Sequence, residues 1–501
     1  MTTDPKSFSP ERLHTEEVVE RHIVDQLVST QGYVERPSTE FDKALGLDRD
    51  VVLAFIKDTQ PEIWQALQRH YPGAAEHEFF RNLEEALKGR GALEVLRDGF
   101  KMVPNLQFRL MFPRPASSLN PDLVRAWQGN RLTVMTQVVY SRRHGNAIDI
   151  VLFINGIPVA TLEVKNTLTG QTFRHAEAQY RKDRSPAGEP LLTFKRGALV
   201  HFALDQEHAS MTTRLMNGKT RFLPFNRGRD GGAGNPDIEG DFAIGYLYAD
   251  QPEGKAIFGR EVWIDLMSKF IHIDKSDGKQ TLLFPRFQQL DCVRKTLTHA
   301  RAHGPGHNYL EQHSAGSGKS NTIAWLAHQA INLHDDQDKP IFDTTIIITD
   351  RLVLDRQLQA TVASFEKTPG LVKKIDGTSR ELKAAIEAGA RIIITTIQKF
   401  GTKHLAKLSG VNTRRFAIII DEAHSSQSGK ANAEMVRSLT RSSEDVEDVI
   451  LEYQRARGPL NCPGFVRGLF LQNSGGFFKG VQLCIEFILH FLRRPMANGA
   501  M

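Results

Sequence analysis

Three short, continuous apolar runs rich in β-branched residues most constrain how this chain can fold. They are residues 344–350 (TTIIITD), 391–397 (RIIITTI) and 416–421 (FAIIID), and segments with helical patterning separate them. Strands that are apolar on both faces belong to parallel sheets with helices on either side. Residues 263–458, over which this alternation extends, are therefore predicted to form an α/β domain around a parallel sheet.

A glycine-rich loop precedes these runs. Residues 313–320 read HSAGSGKS, and Gly316 and Gly318, on either side of Ser317, let backbone N–H groups converge on phosphate oxygens. Lys319 can then reach the β- and γ-phosphates, and the Ser320 hydroxyl can ligate Mg²⁺. The next residues, NTIAWLAHQAI, predict a helix whose N-terminus faces the anion. The alternative for the loop alone is an exposed Gly/Ser turn.

The second half of a nucleotide site requires a carboxylate at the end of an apolar strand. Asp421-Glu422-Ala423-His424 follows the third run, so Asp421 can hold Mg²⁺ through water and Glu422 can orient or deprotonate the attacking water. Alone, this tetrapeptide could be an acidic loop after a strand. Together with the glycine-rich loop, it predicts a site for ATP and Mg²⁺.

A second group of acids lies in the first half of the chain. Asp149 is followed by Glu163 and Lys165, with an apolar segment between them. Two acids can bind one or two Mg²⁺ ions, and a nearby lysine can orient water or stabilise charge on phosphorus. Glu163 and Lys165 share a face of a strand because they are two residues apart. The alternative is an amphipathic hairpin whose charges face solvent.

The turn between these acids provides a geometric test. Asn155-Gly156 is typical of a two-residue hairpin turn. A regular hairpin with that turn places Asp149 opposite Leu162, on the wrong face for Glu163. A metal site therefore requires a three-residue loop or a β-bulge.

The nucleotide-site motifs resemble those of superfamily 2 helicases. Residues 284–291 (FPRFQQLD) are similar to the adenine-recognition segment of that superfamily, which makes Arg286 and Gln289 the contacting residues. Residues 348–358 and 395–400 resemble its two strand-end motifs that contact the DNA backbone. Taken singly, each of the two could be a charged loop between a strand and a helix.

A nuclease-like hairpin ahead of a helicase lobe resembles the motor subunits of type I restriction enzymes over about residues 16–458. The resemblance implies that Asp149, Glu163 and Lys165 are catalytic and that Glu20 is an additional metal-side acid; the alternative for Glu20 is an exposed helix glutamate. The family also has a Gln-x-x-x-Tyr element. Gln179 is followed at once by a tyrosine and four positions later by Asp183, so this element departs from the pattern.

We therefore expect an α/β chain with a restriction-endonuclease-like nuclease domain and one RecA-like superfamily 2 helicase lobe. The nuclease domain should begin with helices and continue with strands, and a flexible glycine-rich loop should lie within the linker. After the lobe, no threonine-rich switch segment or second lobe follows, which suggests truncation or a shifted reading frame. The predicted boundaries are 1–225 for the nuclease domain, 226–262 for the linker, 263–458 for the lobe and 459–501 for an unassigned tail.

The resemblance implies a restriction subunit that uses ATP and Mg²⁺ to translocate and cut unmodified duplex DNA. Its partners would be methyltransferase and specificity subunits. The alternative is a truncated, non-catalytic remnant that binds ATP or DNA without turnover. A third class, an RNA helicase of the DEAH type, does not account for the nuclease-like hairpin.

Composition sets weaker bounds. The chain is 40% hydrophobic and 24% charged, as in globular proteins, and its net charge of +6 permits nucleic-acid binding without requiring it. The three cysteines lack metal-ligand spacing, which favours a reducing compartment and no zinc site. The N-terminus lacks a signal-peptide pattern, and residues 481–492 are too short to span a bilayer. These features predict a cytoplasmic protein.

Overall fold

A computed structural model describes the chain over residues 15–229, 233–252, 254–274, 278, 280–314, 317–349, 352–365, 370–400 and 414–421, and over strand segments 466–468 and 484–491. The chain divides into two compact units. The first consists of residues 1–229 and 234–286, and the second of residues 230–233 and 287–501.

The first unit opens with helices, as predicted, and continues with strands. Its helices are α1 (Glu16–Gln31), α2 (Arg49–Thr59), α3 (Pro61–His70), α4 (Ala75–Gly89), α5 (Ala92–Asp98), α6 (Pro121–Gln128), α7 (Phe173–Asp183) and α8 (Arg260–Asp265). Its strands are β1 (Val34–Glu35), β2 (Phe41–Asp42), β3 (Leu47–Asp48), β4 (Phe100–Met102), β5 (Leu106–Phe108), β6 (Leu132–Val139), β7 (Ala147–Ile154), β8 (Ile157–Val164), β9 (Val200–Leu204), β10 (Ala209–Thr212), β11 (Leu223–Pro224), β12 (His272–Asp274) and β13 (Thr281–Leu283).

Seven of these strands form the main sheet of the first unit, in the order β1-β6-β7-β8-β9-β10-β11. Strands β6, β7 and β8 form an antiparallel meander, and β9 then joins β8 in parallel. Every residue of β8 is buried, and so is every residue of β7 except Ala147. The two central strands of the sheet are therefore shielded from solvent. Helix α7 packs against β8 and β9.

The β7–β8 hairpin has a two-residue turn and a bulge. Asn155 and Gly156 form the turn with φ angles of 52° and 81°, and Ile154 pairs with Ile157. The register shifts by one residue between the Phe153–Pro158 pair and the next one, which leaves Val159 as the extra residue. The hairpin is thus not regular.

The boundary of the first unit differs from the prediction. The division falls between Arg286 and Phe287 rather than before Trp263, and residues 226–229 and 234–262 belong to the first unit instead of a separate linker. Aromatic packing explains the difference. The rings of Phe258 and Trp263 lie 5.3 Å apart, and the ring of Phe258 lies 5.3 Å from that of Phe202 in β9.

The glycine-rich loop within this region is held by hydrogen bonds where the structure describes it. The Arg227 N–H donates to Oδ1 of Asn235 at 2.7 Å, and the Gly228 N–H donates to the Gly234 carbonyl at 2.8 Å. Both asparagines of this segment, Asn226 and Asn235, are buried. Both ends of the loop are therefore anchored, whereas residues 230–232 at its centre lie outside the described residues.

The second unit alternates strands and helices, as the apolar runs predict. Its helices are α9 (Phe287–His303), α10 (Lys319–Ala330), α11 (Leu352–Ser364) and α12 (Ser379–Glu387). Its strands are β14 (Asn308–Ser314), β15 (Thr344–Thr349), β16 (Val372–Lys374), β17 (Ile392–Thr396), β18 (Phe416–Asp421), β19 (Val466–Gly468) and β20 (Cys484–Phe491).

The sheet of the second unit has the order β16-β17-β15-β18-β20-β14-β19. The three apolar runs form β15, β17 and β18, which pair in parallel and are fully buried. The predicted parallel sheet is therefore confirmed. Its described part has the α/β arrangement expected of one RecA-like lobe.

The tail left unassigned by the sequence contributes two strands to this sheet. β20 lies between β18 and β14 and is antiparallel to both, whereas β19 pairs in parallel with the other side of β14. As a result, β14 and β18 do not pair with each other directly.

Candidate active sites

The bulge at Val159 brings the two acids of the first unit together. From Leu152 towards Ile150 the β7–β8 register is regular, and its continuation places Asp149 opposite Glu163. Oδ2 of Asp149 also accepts the backbone N–H of Val164 at 2.8 Å. The geometric condition for a metal site, an extra residue in the hairpin, is thus met.

Lys165 lies at the same end of the sheet. It is buried, and its Nζ lies 2.8 Å from Oε2 of Glu16 in the first turn of α1. Asn166, the next residue, donates through Nδ2 to the carbonyl of Thr15. These two contacts fix the start of α1 against the end of β8.

Glu20, one turn further along α1, is buried beside these residues and is not an exposed helix glutamate. Its Oε2 accepts a hydrogen bond from Nε2 of Gln137 at 2.9 Å. Burial, and next the negative charge of Asp149, raise the pKa of Glu20 to about 7. Glu20 thus belongs to the same electrostatic cluster as Asp149.

Arg184 is a residue of this site that the sequence analysis missed. Its Nε donates to Oε1 of Glu163 at 2.6 Å, and its Nη2 donates to the Ala147 carbonyl at 2.7 Å. It follows directly after α7, in a run of charged residues with no pattern that would have singled it out.

Lys165 and Arg184 do not fully neutralise the carboxylates of this cluster. Burial, followed by the charge of Asp149, raises the pKa of Glu163 well above its usual range, although Arg184 opposes this shift. Burial also raises the pKa of Asp149. Oε2 of Glu163 is buried, and no described residue offers it a hydrogen bond. A divalent cation would satisfy this oxygen.

The residues present fit Mg²⁺ better than a metal held by protein ligands alone. Across the described ranges, no three His, Cys, Asp or Glu side chains are spaced to hold a metal ion between them. Mg²⁺ needs only one or two carboxylates because it keeps several waters. Asp149 and Glu163 provide that pair.

The structure shows where the residues of the altered Gln-x-x-x-Tyr element lie. Gln179 is half-buried in α7, whereas the neighbouring Tyr180 is buried and its hydroxyl lies 2.8 Å from Oγ1 of Thr161. Tyr180 is therefore the residue that faces β8.

In the second unit, the phosphate-binding loop connects β14 to α10. Gly318 precedes α10 with a φ of 87°, and its carbonyl accepts Nε2 of Gln289 at 2.9 Å. The backbone angle favours glycine, and a Cβ at position 318 would lie 2.4 Å from that nitrogen and displace the Gln289 amide. Ser317 is buried and Ser320 lies half-buried in the first turn of α10.

The two halves of the predicted nucleotide site meet. Nζ of Lys319 lies 2.7 Å from Oδ1 of Asp421, at the end of β18. Gly316 and Glu422, the other predicted residues of this site, lie outside the described residues. The predicted adenine pair falls on either side of the boundary, with Arg286 ending the first unit and Gln289 in α9 of the second.

The second strand-end motif lies at the same edge of the sheet. Thr395 and Thr396 end β17, and a turn of 3₁₀-helix follows at Ile397–Lys399. Because β17 and β18 run parallel, this segment and Asp421 share the carboxyl edge, where ligands of open α/β sheets bind. Of the first motif, residues 350 and 351 lie outside the described residues.

Comparisons with known proteins give one family match in each unit. Residues 14–219 match the family model described as type I restriction enzyme R protein N terminus, and residues 288–444 match that of the SWI2/SNF2 ATPase. The chain is thus similar to type I restriction R proteins over the first match and to SWI2/SNF2 ATPases over the second. The acids of the R-protein hairpin fall within the first match, and Lys319 and Asp421 fall within the second.

Curated relatives agree with this assignment. The type I restriction enzyme SsaAORF53P endonuclease subunit of Staphylococcus saprophyticus is 24% identical over 362 residues, which are 70% of this chain and 34% of that protein. The type I restriction enzyme HindI endonuclease subunit of Haemophilus influenzae is 26% identical over 320 residues, or 60% of this chain and 28% of that protein. The chain thus spans about a third of the length of these relatives.

Among solved structures, the UvsW helicase from bacteriophage T4 aligns with 38% of this chain and 65% of its own, with 18% identity and a TM-score of 0.27. The fold assignment rests on the sheet topology and the family matches. None of the described helices is long and apolar enough to cross a membrane.

Proposed function

We propose that this chain is the restriction subunit of a type I restriction-modification system, which binds ATP and cuts unmodified duplex DNA with Mg²⁺. The bulge at Val159 carries the proposal, because it aligns Asp149 with Glu163 beside an unsatisfied carboxylate oxygen. A hairpin that served only to present charges to solvent would have no need of this irregularity.

The candidate site residues of the first unit have separate roles in this proposal. Asp149 and Glu163 would hold Mg²⁺, which supplies positive charge at the phosphate and lowers the pKa of a bound water. Lys165 lies on the face of β8 that carries Glu163, so its ammonium group can orient the attacking water once Glu16 releases it. Arg184 keeps one oxygen of Glu163 fixed.

The second unit would supply nucleotide binding. Lys319 would exchange its ion pair with Asp421 for the β- and γ-phosphates, and Ser320 and Asp421 would hold Mg²⁺, which would neutralise phosphate charge. Glu422 would orient the attacking water. Coupling of hydrolysis to DNA translocation, with methyltransferase and specificity subunits as partners, extends the proposal to the whole assembly.

The test is cleavage of unmodified plasmid by the chain together with its methyltransferase and specificity subunits, with ATP and Mg²⁺. Asp149→Asn and Glu163→Gln should each abolish cutting and leave ATP binding intact. Glu62→Gln, at an exposed position of α3, is the matched control and should cut normally. Full cutting by Asp149→Asn would contradict the proposed site.

The same assay separates the second candidate. ATP binding and DNA binding by the unaltered chain, with neither hydrolysis nor cutting, would identify it as a non-catalytic ATP- and DNA-binding form. Stimulation of ATP hydrolysis by RNA but not by DNA would instead favour an RNA helicase.

A further inference from the structure

Gln137 has an unusual backbone conformation within β6. Its φ is 49°, in the left-handed region, although the residues on either side keep one regular register with β7. Thr136 pairs with Ile150 and Val138 pairs with Ile148. Only Gln137 therefore leaves the strand conformation, and no extra residue is inserted into β6. A left-handed residue that is neither Gly, Asn nor Asp is uncommon and persists only where its surroundings impose it.

The position of the excursion coincides with the carboxylate cluster. The β6–β7 register places Gln137 opposite Asp149, which in turn lies opposite Glu163 on the far side of β7. Gln137 is exposed, yet its side-chain amide reaches back to the buried Glu20 at 2.9 Å. A strained backbone and a hydrogen bond to a buried acid thus meet at one residue.

We infer that Gln137 is a positioning residue that holds the Glu20 carboxylate next to Asp149, where this carboxylate can accept a hydrogen bond from a water bound to the divalent cation. The inference rests on the proposed function, because it assigns a role at the same cation site. Glu20 comes from α1, whereas Asp149 and Glu163 come from the hairpin, so the helix acid needs a contact that fixes its distance from the strands. The Gln137 amide provides that contact.

One substitution should have opposite effects on stability and on cation binding. Gln137→Gly removes the left-handed strain and the amide together. Relief of strain should leave the melting temperature unchanged or raise it, since glycine adopts this conformation freely. Loss of the amide should weaken cation binding by roughly tenfold or more, as is typical when a contact that supports a metal site from outside its ligands is removed.

The experiment is a titration of the full chain with Mn²⁺, followed by electron paramagnetic resonance, without DNA or nucleotide. Asn217→Gly is the matched control, because Asn217 is exposed in a turn with a φ of 50°. It places glycine at another left-handed position, away from the carboxylate cluster, and should leave Mn²⁺ affinity unchanged. Gln137→Asn, which tolerates the left-handed region but is one methylene shorter, should weaken binding at unchanged stability.

A double-mutant cycle with Glu20→Gln completes the test. Once Glu20 is neutral, Gln137→Gly should weaken Mn²⁺ binding no further, because the amide acts through that carboxylate. Mn²⁺ affinity that depends on Asp149 but is the same with Gln137→Gly overturns this inference and leaves the proposed function standing. Mn²⁺ binding that is absent, or that survives Asp149→Asn unchanged, overturns both.

Discussion

Arg184 donates its Nε–H to Oε1 of Glu163 at 2.6 Å, and both side chains are buried. The second oxygen of Glu163 has no hydrogen-bond partner among the described residues. One carboxylate therefore has a fixed cation on one oxygen and a second oxygen that is buried and unsatisfied. Arg184 supports the site in the absence of metal, and Mg²⁺ would complete it.

Substitution of Arg184 should make the stability of the chain depend more strongly on Mg²⁺. Arg184→Met leaves Glu163 buried without its cation, which should lower the free energy of unfolding by about 3–5 kcal/mol. Added Mg²⁺ should restore more stability to this variant than to the unaltered chain. Urea denaturation with and without Mg²⁺ measures both effects. Arg114→Met, which breaks the half-exposed pair with Glu261, should lose about 1 kcal/mol or less; an equal loss at both positions would argue against the role of Arg184.

The turn of the β7–β8 hairpin should not accept a side chain. A Cβ at Gly156 would lie 2.5 Å from the Asp48 carbonyl oxygen and 2.7 Å from Cγ2 of Val52. Gly156→Ala should therefore lower the free energy of unfolding by at least about 2 kcal/mol, through strain at φ 81° and through these contacts. Gly170→Ala has a similar φ of 77° but open space around the added methyl, so thermal melts should show a clearly smaller loss.

The stability of the second unit should depend on the protonation of Glu311. Burial raises the pKa of this residue in β14 to about 7, while Thr296 donates a hydrogen bond to its Oε1 at 3.1 Å. Between the ordinary pKa of 4.5 and about 7, the folded state binds more protons than the unfolded state. The free energy of unfolding should therefore fall as pH rises through this interval, by up to about 3 kcal/mol.

The variant Glu311→Gln tests this pH dependence, since it should remove that part of the slope. Denaturation at pH values from 5 to 8 measures the difference, and Asp336→Asn, an exposed acid of the same unit, is the control that should keep the slope. The prediction would be contradicted if the free energy of unfolding of the unaltered chain rose with pH and Glu311→Gln left this dependence unchanged.

Lys319 and Asp421 should affect nucleotide binding in opposite directions when Mg²⁺ is absent. Lys319→Ala removes a charged contact to phosphate and should weaken binding of a fluorescent ATP analogue by roughly tenfold to a hundredfold. Asp421→Asn frees Lys319 from its 2.7 Å ion pair and removes a negative charge near the phosphates, so affinity in EDTA should increase. Lys373→Ala, exposed in β16, should bind normally; weaker binding by Asp421→Asn in EDTA would overturn the exchange of partners.

Local patterns were sufficient for the parts of the fold that depend on neighbouring residues. The β-branched runs predicted β15, β17 and β18 because consecutive apolar residues within each run indicate a strand that is buried on both faces. The Asn155-Gly156 pair and the count of residues to Glu163 were enough to require an extra residue in the hairpin, which the structure places at Val159.

Features that depend on distant partners could not be predicted in this way. Arg184 meets Glu163 across 21 residues and Gln137 meets Glu20 across 117, and nothing in their local sequence marks either contact. The boundary was placed too early because Trp263 packs with aromatic residues that are dispersed along the chain. The tail has no pattern that relates it to the sheet it enters.

The position of β20 also sets the order in which the second unit can be assembled during synthesis. β14 and β18 leave the ribosome well before Cys484–Phe491, and the strand that joins them is the last of the sheet to emerge. Until then the nascent chain carries two open strand edges, which readily pair with other chains. The sheet can therefore close only after residues 484–491 have emerged, and a ribosome that stalls before residue 484 leaves the strand before the nucleotide loop and the acidic strand unjoined.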